Sequence, residues 1–106
     1  MNISQHWVSE SWTWNRDVMP KGYEEIEPVR IDMVRGRKGS VSYAVRQQGA
    51  CMNAKGEWEF EPIPSSRTDE WLKEFRFSSW EDAAKAVERC VKTPLGRFHR
   101  MLETTP

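Results

Sequence analysis

The fold of this chain is decided by residues 79–92, which read SWEDAAKAVERCVK. Apolar residues recur there at the i, i+3, i+4, i+7 spacing of one helix face, namely Trp80, Ala83, Ala84, Val87, Cys90 and Val91. Ser78 is the expected N-cap, with Glu81 placed three residues later as in a capping box. Because Pro94 follows and cannot continue a helix, the stretch predicts an amphipathic helix over about 79–92.

Upstream of this helix the apolar residues alternate with a period of two, which is typical of half-buried strands. The alternating segments are 29–33, 41–45 and 58–60; residues 50–52 are a further short strand, and glycine-containing connections separate the four segments. Residues 72–77 fit either a short helix that begins near Thr68 or the end of a last strand. Pro94 is expected to open a short C-terminal helix. The sequence therefore predicts an α+β fold, with a three- to five-stranded antiparallel meander and one main amphipathic helix packed on it.

The length of 106 residues indicates a single domain over 1–106. Residues 1–22 are expected to form an N-terminal arm or a short helix, and residues 23–106 the sheet and the C-terminal helices. Six tryptophans are many for a chain of this size, and three of them fall in the first segment. Trp12 and Trp14 are candidates for a protein-binding surface, because tryptophan is enriched at interface hot spots; the alternative is that they belong to the core.

Charge is balanced over the whole chain but unevenly distributed along it. Sixteen basic and sixteen acidic residues cancel, so the bulk charge gives no reason to expect a nucleic-acid-binding protein. However, residues 29–56 carry six basic groups and one acidic group, whereas residues 57–82 carry three and eight. Such segregation suits association with a charged partner or with a second copy of the chain.

A basic hairpin is the first candidate binding site. Arg35, Arg37 and Lys38 lie at its tip, and a basic ribbon of this kind can enter a major groove of DNA. A solvated hairpin has the same composition.

The loop at residues 62–67 is the second candidate binding site. It presents Ser65, Ser66 and Arg67 on a backbone stiffened by two prolines, and a guanidinium can bind a carboxylate or phosphate through two hydrogen bonds. The alternative is that Arg67 pairs with Glu59 or Glu61 within the chain.

No sequence motif indicates catalysis, a metal or a cofactor. Neither histidine has further ligand residues at metal-site spacing. Glu57, Glu59 and Glu61 share one strand face, which is expected to be solvated or to meet a basic partner. The protein is therefore expected not to be an enzyme, and to use no metal or cofactor. Two isolated cysteines and the lack of a leader or an apolar span predict a cytoplasmic protein without a membrane segment.

Two stretches resemble known families. Residues 49–67 (GACMNAKGEWEFEPIPSSR) and 76–83 (RFSSWEDA) resemble small uncharacterised bacterial proteins found among chromosomal, phage and mobile-cassette accessory genes. That resemblance implies no activity and no catalytic residue. Residues 77–83 are also similar to the helix entry of plant ethylene-response DNA-binding domains and integrase arm-binding domains, which implies three strands followed by one helix. The arginine- and tryptophan-rich strand motifs of those families are not matched here.

These patterns predict a non-enzymatic accessory protein, encoded by a phage or mobile element, that binds a partner protein or forms a homodimer. The alternatives are a nucleic-acid-binding module that uses hairpin 35–38, and a small anionic ligand bound at the Pro-Ser-Ser-Arg loop.

Overall fold

The computed structural model describes residues 11–14, 19–36 and 39–100, and within them five strands form one antiparallel sheet. Their order in the sheet follows the sequence: β1 (Ser11–Thr13), β2 (Arg30–Arg35), β3 (Val41–Gln47), β4 (Ala50–Met52) and β5 (Trp58–Phe60). Two helices follow, α1 (Asp69–Phe75) and α2 (Trp80–Cys90), with 3₁₀ turns at Pro64–Ser66 and Gly96–Phe98. The predicted α+β meander with one main helix is confirmed.

One face of the sheet, here called the first face, carries the main apolar core. Ile31, Val45, Met52 and Trp58 lie opposite one another across the four strands from β2 to β5. α2 packs on this row through a stripe of small buried residues, Ala83, Ala84, Ala86 and Val87. Small side chains let the helix axis approach the sheet closely, as the sequence predicted.

The N-terminus of α2 corrects the predicted cap by one residue. The hydroxyl oxygen of Ser79, not that of Ser78, accepts the backbone N–H of Asp82 at 3.1 Å. The Ser78 hydroxyl instead donates to the Asp82 carboxylate at 3.3 Å. The expected pairing of Ser78 with Glu81 is therefore wrong, because the helix begins at Trp80 and Asp82 takes the third position.

The opposite face of the sheet, the second face, is covered by α1. Phe75 packs on Ala44 and Cys51 in a small buried cluster, and Trp71 stacks on Phe75 with ring centroids 4.9 Å apart. The hydroxyl oxygen of Thr68 caps α1 by accepting the N–H of Trp71. Of the two alternatives for residues 72–77, the short helix that begins near Thr68 is confirmed, and the last strand is wrong because the helix continues to Phe75.

After α1 the backbone pairs with the sheet at one residue before α2 begins. Phe77 forms an isolated antiparallel bridge with Tyr43, with both backbone hydrogen bonds at 2.8 Å. A single bridge is too short to count as a further strand, but it fixes where the chain leaves the second face.

The N-terminal segment joins the sheet rather than forming a helix at residues 11–13. Trp12 in β1 lies opposite Ile31, and Trp14 is only 7% exposed within the main core. Burial corrects the expectation that the Trp14 side chain is available to a partner. The side chain of Trp12 and the whole of Trp7 lie outside the described part of the chain.

The end of the described chain is held to β3 by one buried amide. The Gln47 side chain is fully buried; it donates to the Glu27 carbonyl at 2.9 Å and accepts the Arg97 backbone N–H at 3.0 Å. In the described part of the expected C-terminal helix, residues 96–98 form a 3₁₀ turn and Leu95 is buried beside it, whereas residues 101–106 lie outside the described part of the chain. Of the described helices, none has the length and apolar character needed to cross a membrane.

The two neighbouring serines make the cap assignment testable. Ser79→Ala is expected to lower the free energy of unfolding by about 1 kcal/mol, because the Asp82 N–H loses its acceptor. Ser78→Ala is the matched control and should change it by less than about 0.5 kcal/mol. Urea denaturation of both variants measures the difference, and a larger loss for the Ser78 variant would contradict the assignment.

Candidate functional site

The second face of the sheet is organised around the carboxylate of Glu61, which lies just after β5. Its two oxygens accept hydrogen bonds from Arg46 Nε at 3.0 Å and Arg46 Nη2 at 2.8 Å, a two-point pairing of guanidinium with carboxylate. Arg76 also donates to this carboxylate, and Arg67 Nη2 lies 3.3 Å from it. One carboxylate thus faces three guanidiniums from β3, the 62–67 loop and the end of α1.

A second carboxylate extends this network across the sheet. Arg30 and Arg46 lie directly opposite each other on β2 and β3, a like-charge pairing that by itself destabilises a sheet. Asp32 lies between them and accepts from Arg30 Nε at 2.8 Å and Arg46 Nη1 at 3.2 Å. Arg30 also pairs with Glu27. The mutual repulsion of the two arginines is therefore offset.

Titration behaviour follows from these contacts. Burial alone would raise the pKa of Glu61, but the hydrogen bonds and charges of Arg46 and Arg76 outweigh it and lower the pKa to about 2. Burial would likewise lower the pKa of Arg46, yet its bonds to Glu61 and Asp32 raise it overall. Glu61 consequently stays ionised throughout the physiological range.

A cleft of about 780 Å³ lies between the end of the β2–β3 hairpin and α1. Its apolar surface comes from Val34, Pro64 and Leu72. Its charged lining consists of four basic residues and one acidic residue, namely Arg35, Arg67, Lys73, Arg76 and Asp69. One wall of the cleft comes from residues 69, 72 and 73 of α1, which have the spacing of one helix face, and from Arg76, the residue that follows α1.

The charge of the cleft is positive because its arginines outnumber the carboxylates that could neutralise them. Arg67 and Arg76 share a single carboxylate with Arg46, and among the described residues Asp69 is the one acidic group in the lining. Arg76 has a side chain only 6% exposed, stacks on Trp71 at 5.1 Å, and has a buried Nε that meets no acceptor among the described residues. The cleft therefore combines excess positive charge with unused donor capacity.

The structure brings together two sites that the sequence presented separately. Arg35 of the hairpin and Arg67 of the 62–67 loop line the same cleft. Ser65 and Ser66 are exposed and lie outside its lining. Arg37 and Lys38 fall outside the described residues.

Arg67 is held by groups of its own chain, as the alternative interpretation of the loop predicted. Its Nε donates to the Pro62 carbonyl at 2.7 Å, and its Nη2 faces Glu61. The orientation of its guanidinium is therefore set by the loop itself.

Sequence reasoning missed Arg46, Lys73 and Arg76 as parts of one site. Lys73 lies in α1, whereas Arg76 is the extended residue that follows it, so the two share a wall only because the helix ends at Phe75. The pairing of Arg46 with Glu61 joins positions fifteen residues apart and depends on the fold of the meander.

The buried thiol on this face is not set up as a nucleophile. Cys51 is fully buried, and burial together with the charge of Glu61 raises its pKa, so the reactive thiolate is disfavoured. Arg76 Nη1 lies 3.7 Å from its sulfur.

Of the three glutamates at β5, Glu57 and Glu59 are exposed as expected, whereas Glu61 meets basic partners within the chain.

Comparison of the chain with protein-family models, curated proteins and solved structures found no match. The resemblance to phage and mobile-cassette accessory proteins stays a prediction.

The Glu61 network has a measurable effect on stability. Glu61→Gln is expected to lower the free energy of unfolding by roughly 3 kcal/mol at neutral pH, because three guanidiniums lose their carboxylate. Glu59→Gln, an exposed change on the same strand, is the matched control and should have an effect below about 0.5 kcal/mol. Denaturant titration measures both, and equal effects would contradict the network.

The stability that Glu61 contributes has a defined pH dependence, which a comparison of the wild type with the Glu61→Gln variant tests. Folding lowers the pKa of Glu61 from 4.5 to about 2. The contribution of the Glu61 carboxylate to the free energy of unfolding is therefore complete above pH 4.5 and is lost as the pH falls through about 2. The wild-type protein should lose stability across that window, and the Glu61→Gln variant should lose less.

Proposed function

We propose that this protein is a non-enzymatic binding protein whose basic cleft takes an acidic, partly apolar segment of another protein. The observation that carries the proposal is the convergence of Arg35, Arg67, Lys73 and Arg76 on one concave surface with a single acidic residue. A cleft lined by more basic than acidic side chains attracts anionic groups and raises their local concentration.

The shape and lining of the cleft favour a peptide over a small anion. Its volume of about 780 Å³ exceeds what one phosphate or carboxylate would fill. Val34, Pro64 and Leu72 supply apolar contact area between the charged groups, and apolar side chains of a bound segment would cover it. The two serines that suggested a small anion site lie outside the lining.

A peptide is also favoured over a nucleic acid. Proteins that bind single-stranded nucleic acids without sequence preference use exposed aromatic side chains that stack on the bases. The described tryptophans instead contribute to the two cores: Trp14 is buried, Trp58 and Trp80 pack against the main core, and Trp71 packs on the α1 cluster. A cytoplasmic location is part of the proposal, and the free thiols of Cys51 and Cys90 support it.

Binding is tested with a short fluorescein-labelled peptide in which Glu alternates with Leu and Phe. Fluorescence anisotropy should show saturable binding that weakens as salt is added, because the cleft attracts the peptide through charge. Lys73→Glu should weaken binding roughly tenfold, equivalent to about 1.4 kcal/mol. Lys85→Glu, an equal charge reversal at an exposed position of α2 on the first face, should leave binding unchanged.

Two comparisons make this experiment decisive. A peptide with Gln in place of Glu should bind weakly, since it lacks the charge. Equal losses for the Lys73 and Lys85 variants would show that only net charge matters and would contradict a site in the cleft. Tighter binding of a labelled single-stranded oligonucleotide, lost on Lys73→Glu, would overturn the proposal in favour of a nucleic-acid partner.

A further inference from the structure

An exposed acidic surface lies on the other side of α1 from the cleft. Glu57 and Glu59 at β5 are exposed, and Asn53 Nδ2 donates to Glu57 at 2.8 Å and to Glu74 of α1 at 3.2 Å. One amide group thus holds carboxylates of β5 and α1 side by side. None of these residues lines the cleft.

The same edge of the molecule exposes two large apolar side chains. Phe60 is 68% exposed and Ile63 is 67% exposed, among the highest values for apolar residues in the described chain. β5 is the last strand of the sheet. We call Glu57, Glu59, Phe60 and Ile63 the acidic edge. Glu59 lies on the second face of the sheet and Phe60 on the first, where the Arg97 guanidinium lies 4.7 Å from its ring.

The acidic edge and the cleft are complementary in charge and in apolar content. The cleft offers four basic side chains around Val34, Pro64 and Leu72. The acidic edge offers exposed carboxylates on the second face, and the exposed side chains of Phe60 and Ile63 flank the edge of the same sheet. Because α1 separates the two surfaces and β3 and β4 lie between their strands, a chain cannot place its own acidic edge in its own cleft.

We propose that the occupant of the cleft is the acidic edge of a second copy of this chain. The inference rests on the proposed function and names the partner for that site. Contact between two different surfaces of identical molecules is head-to-tail, so each complex leaves one free cleft and one free acidic edge. Association therefore continues beyond a dimer as concentration rises, and added salt weakens it.

Two single charge reversals test this arrangement by sedimentation velocity. Wild-type protein should form species larger than a dimer at high concentration. Lys73→Glu damages the cleft alone and Glu59→Lys damages the acidic edge alone, so each variant by itself should sediment as the 12.5 kDa monomer. An equal mixture retains one intact cleft and one intact acidic edge. It should therefore form a complex of at least twice the monomer mass.

A second pair of variants controls for simple attraction between oppositely charged molecules. Lys85→Glu and Glu88→Lys make the same changes in net charge at exposed positions of α2. Each alone, and their mixture, should associate like the wild type. Circular dichroism confirms that every variant is folded; Arg35→Glu replaces Lys73→Glu if the latter is not.

The outcomes separate this inference from the proposed function. A wild-type protein that stays monomeric, or a mixture of Lys73→Glu and Glu59→Lys that stays monomeric, overturns self-association. If the labelled acidic peptide still binds the cleft in that case, the proposed function stands and another protein is its partner. If the peptide also fails to bind, both are overturned.

Discussion

The carboxylate of Glu61 is the group on which the second face of this protein depends. It accepts hydrogen bonds from Nε and Nη2 of Arg46 and also faces Arg67 and Arg76. Arg46 belongs to a central strand, Arg67 belongs to a proline-rich loop, and Arg76 is the residue after α1. Pairing them with one carboxylate fixes the loop and α1 against the sheet, and the space left between α1 and the β2–β3 hairpin is the cleft.

The two faces of the sheet use different physics. The first face is an apolar core against α2, stabilised by removal of surface from water. The second face holds only a small apolar cluster, and charged groups cover the remainder. A charge network has to be nearly complete to be stable. Here it is complete around Asp32 but has more guanidinium than carboxylate around Glu61, so the excess positive charge lies at the cleft.

The sequence predicted what depends on local patterns. The period of α2, the alternation in β2 to β5 and the turns between them follow from neighbouring residues, and all appear in the structure. The cap was misplaced by one residue because Ser78 and Ser79 are both competent caps. The pairing of Arg67 with Glu61 was within reach of sequence reasoning, since the two are close in the chain. The contribution of Arg46 was not, because only the strand register brings it to Glu61.

The central claim is that three guanidiniums surround one carboxylate. It is tested most directly by following the side-chain carboxyl carbon of Glu61 by NMR as the pH is lowered, with the Glu61→Gln spectrum assigning the signal. The account predicts that the signal titrates with a pKa of about 2, far below the ordinary value of 4.5. A titration at the ordinary value would show that the carboxylate is not held by these arginines, and would contradict both the network and the cleft built on it.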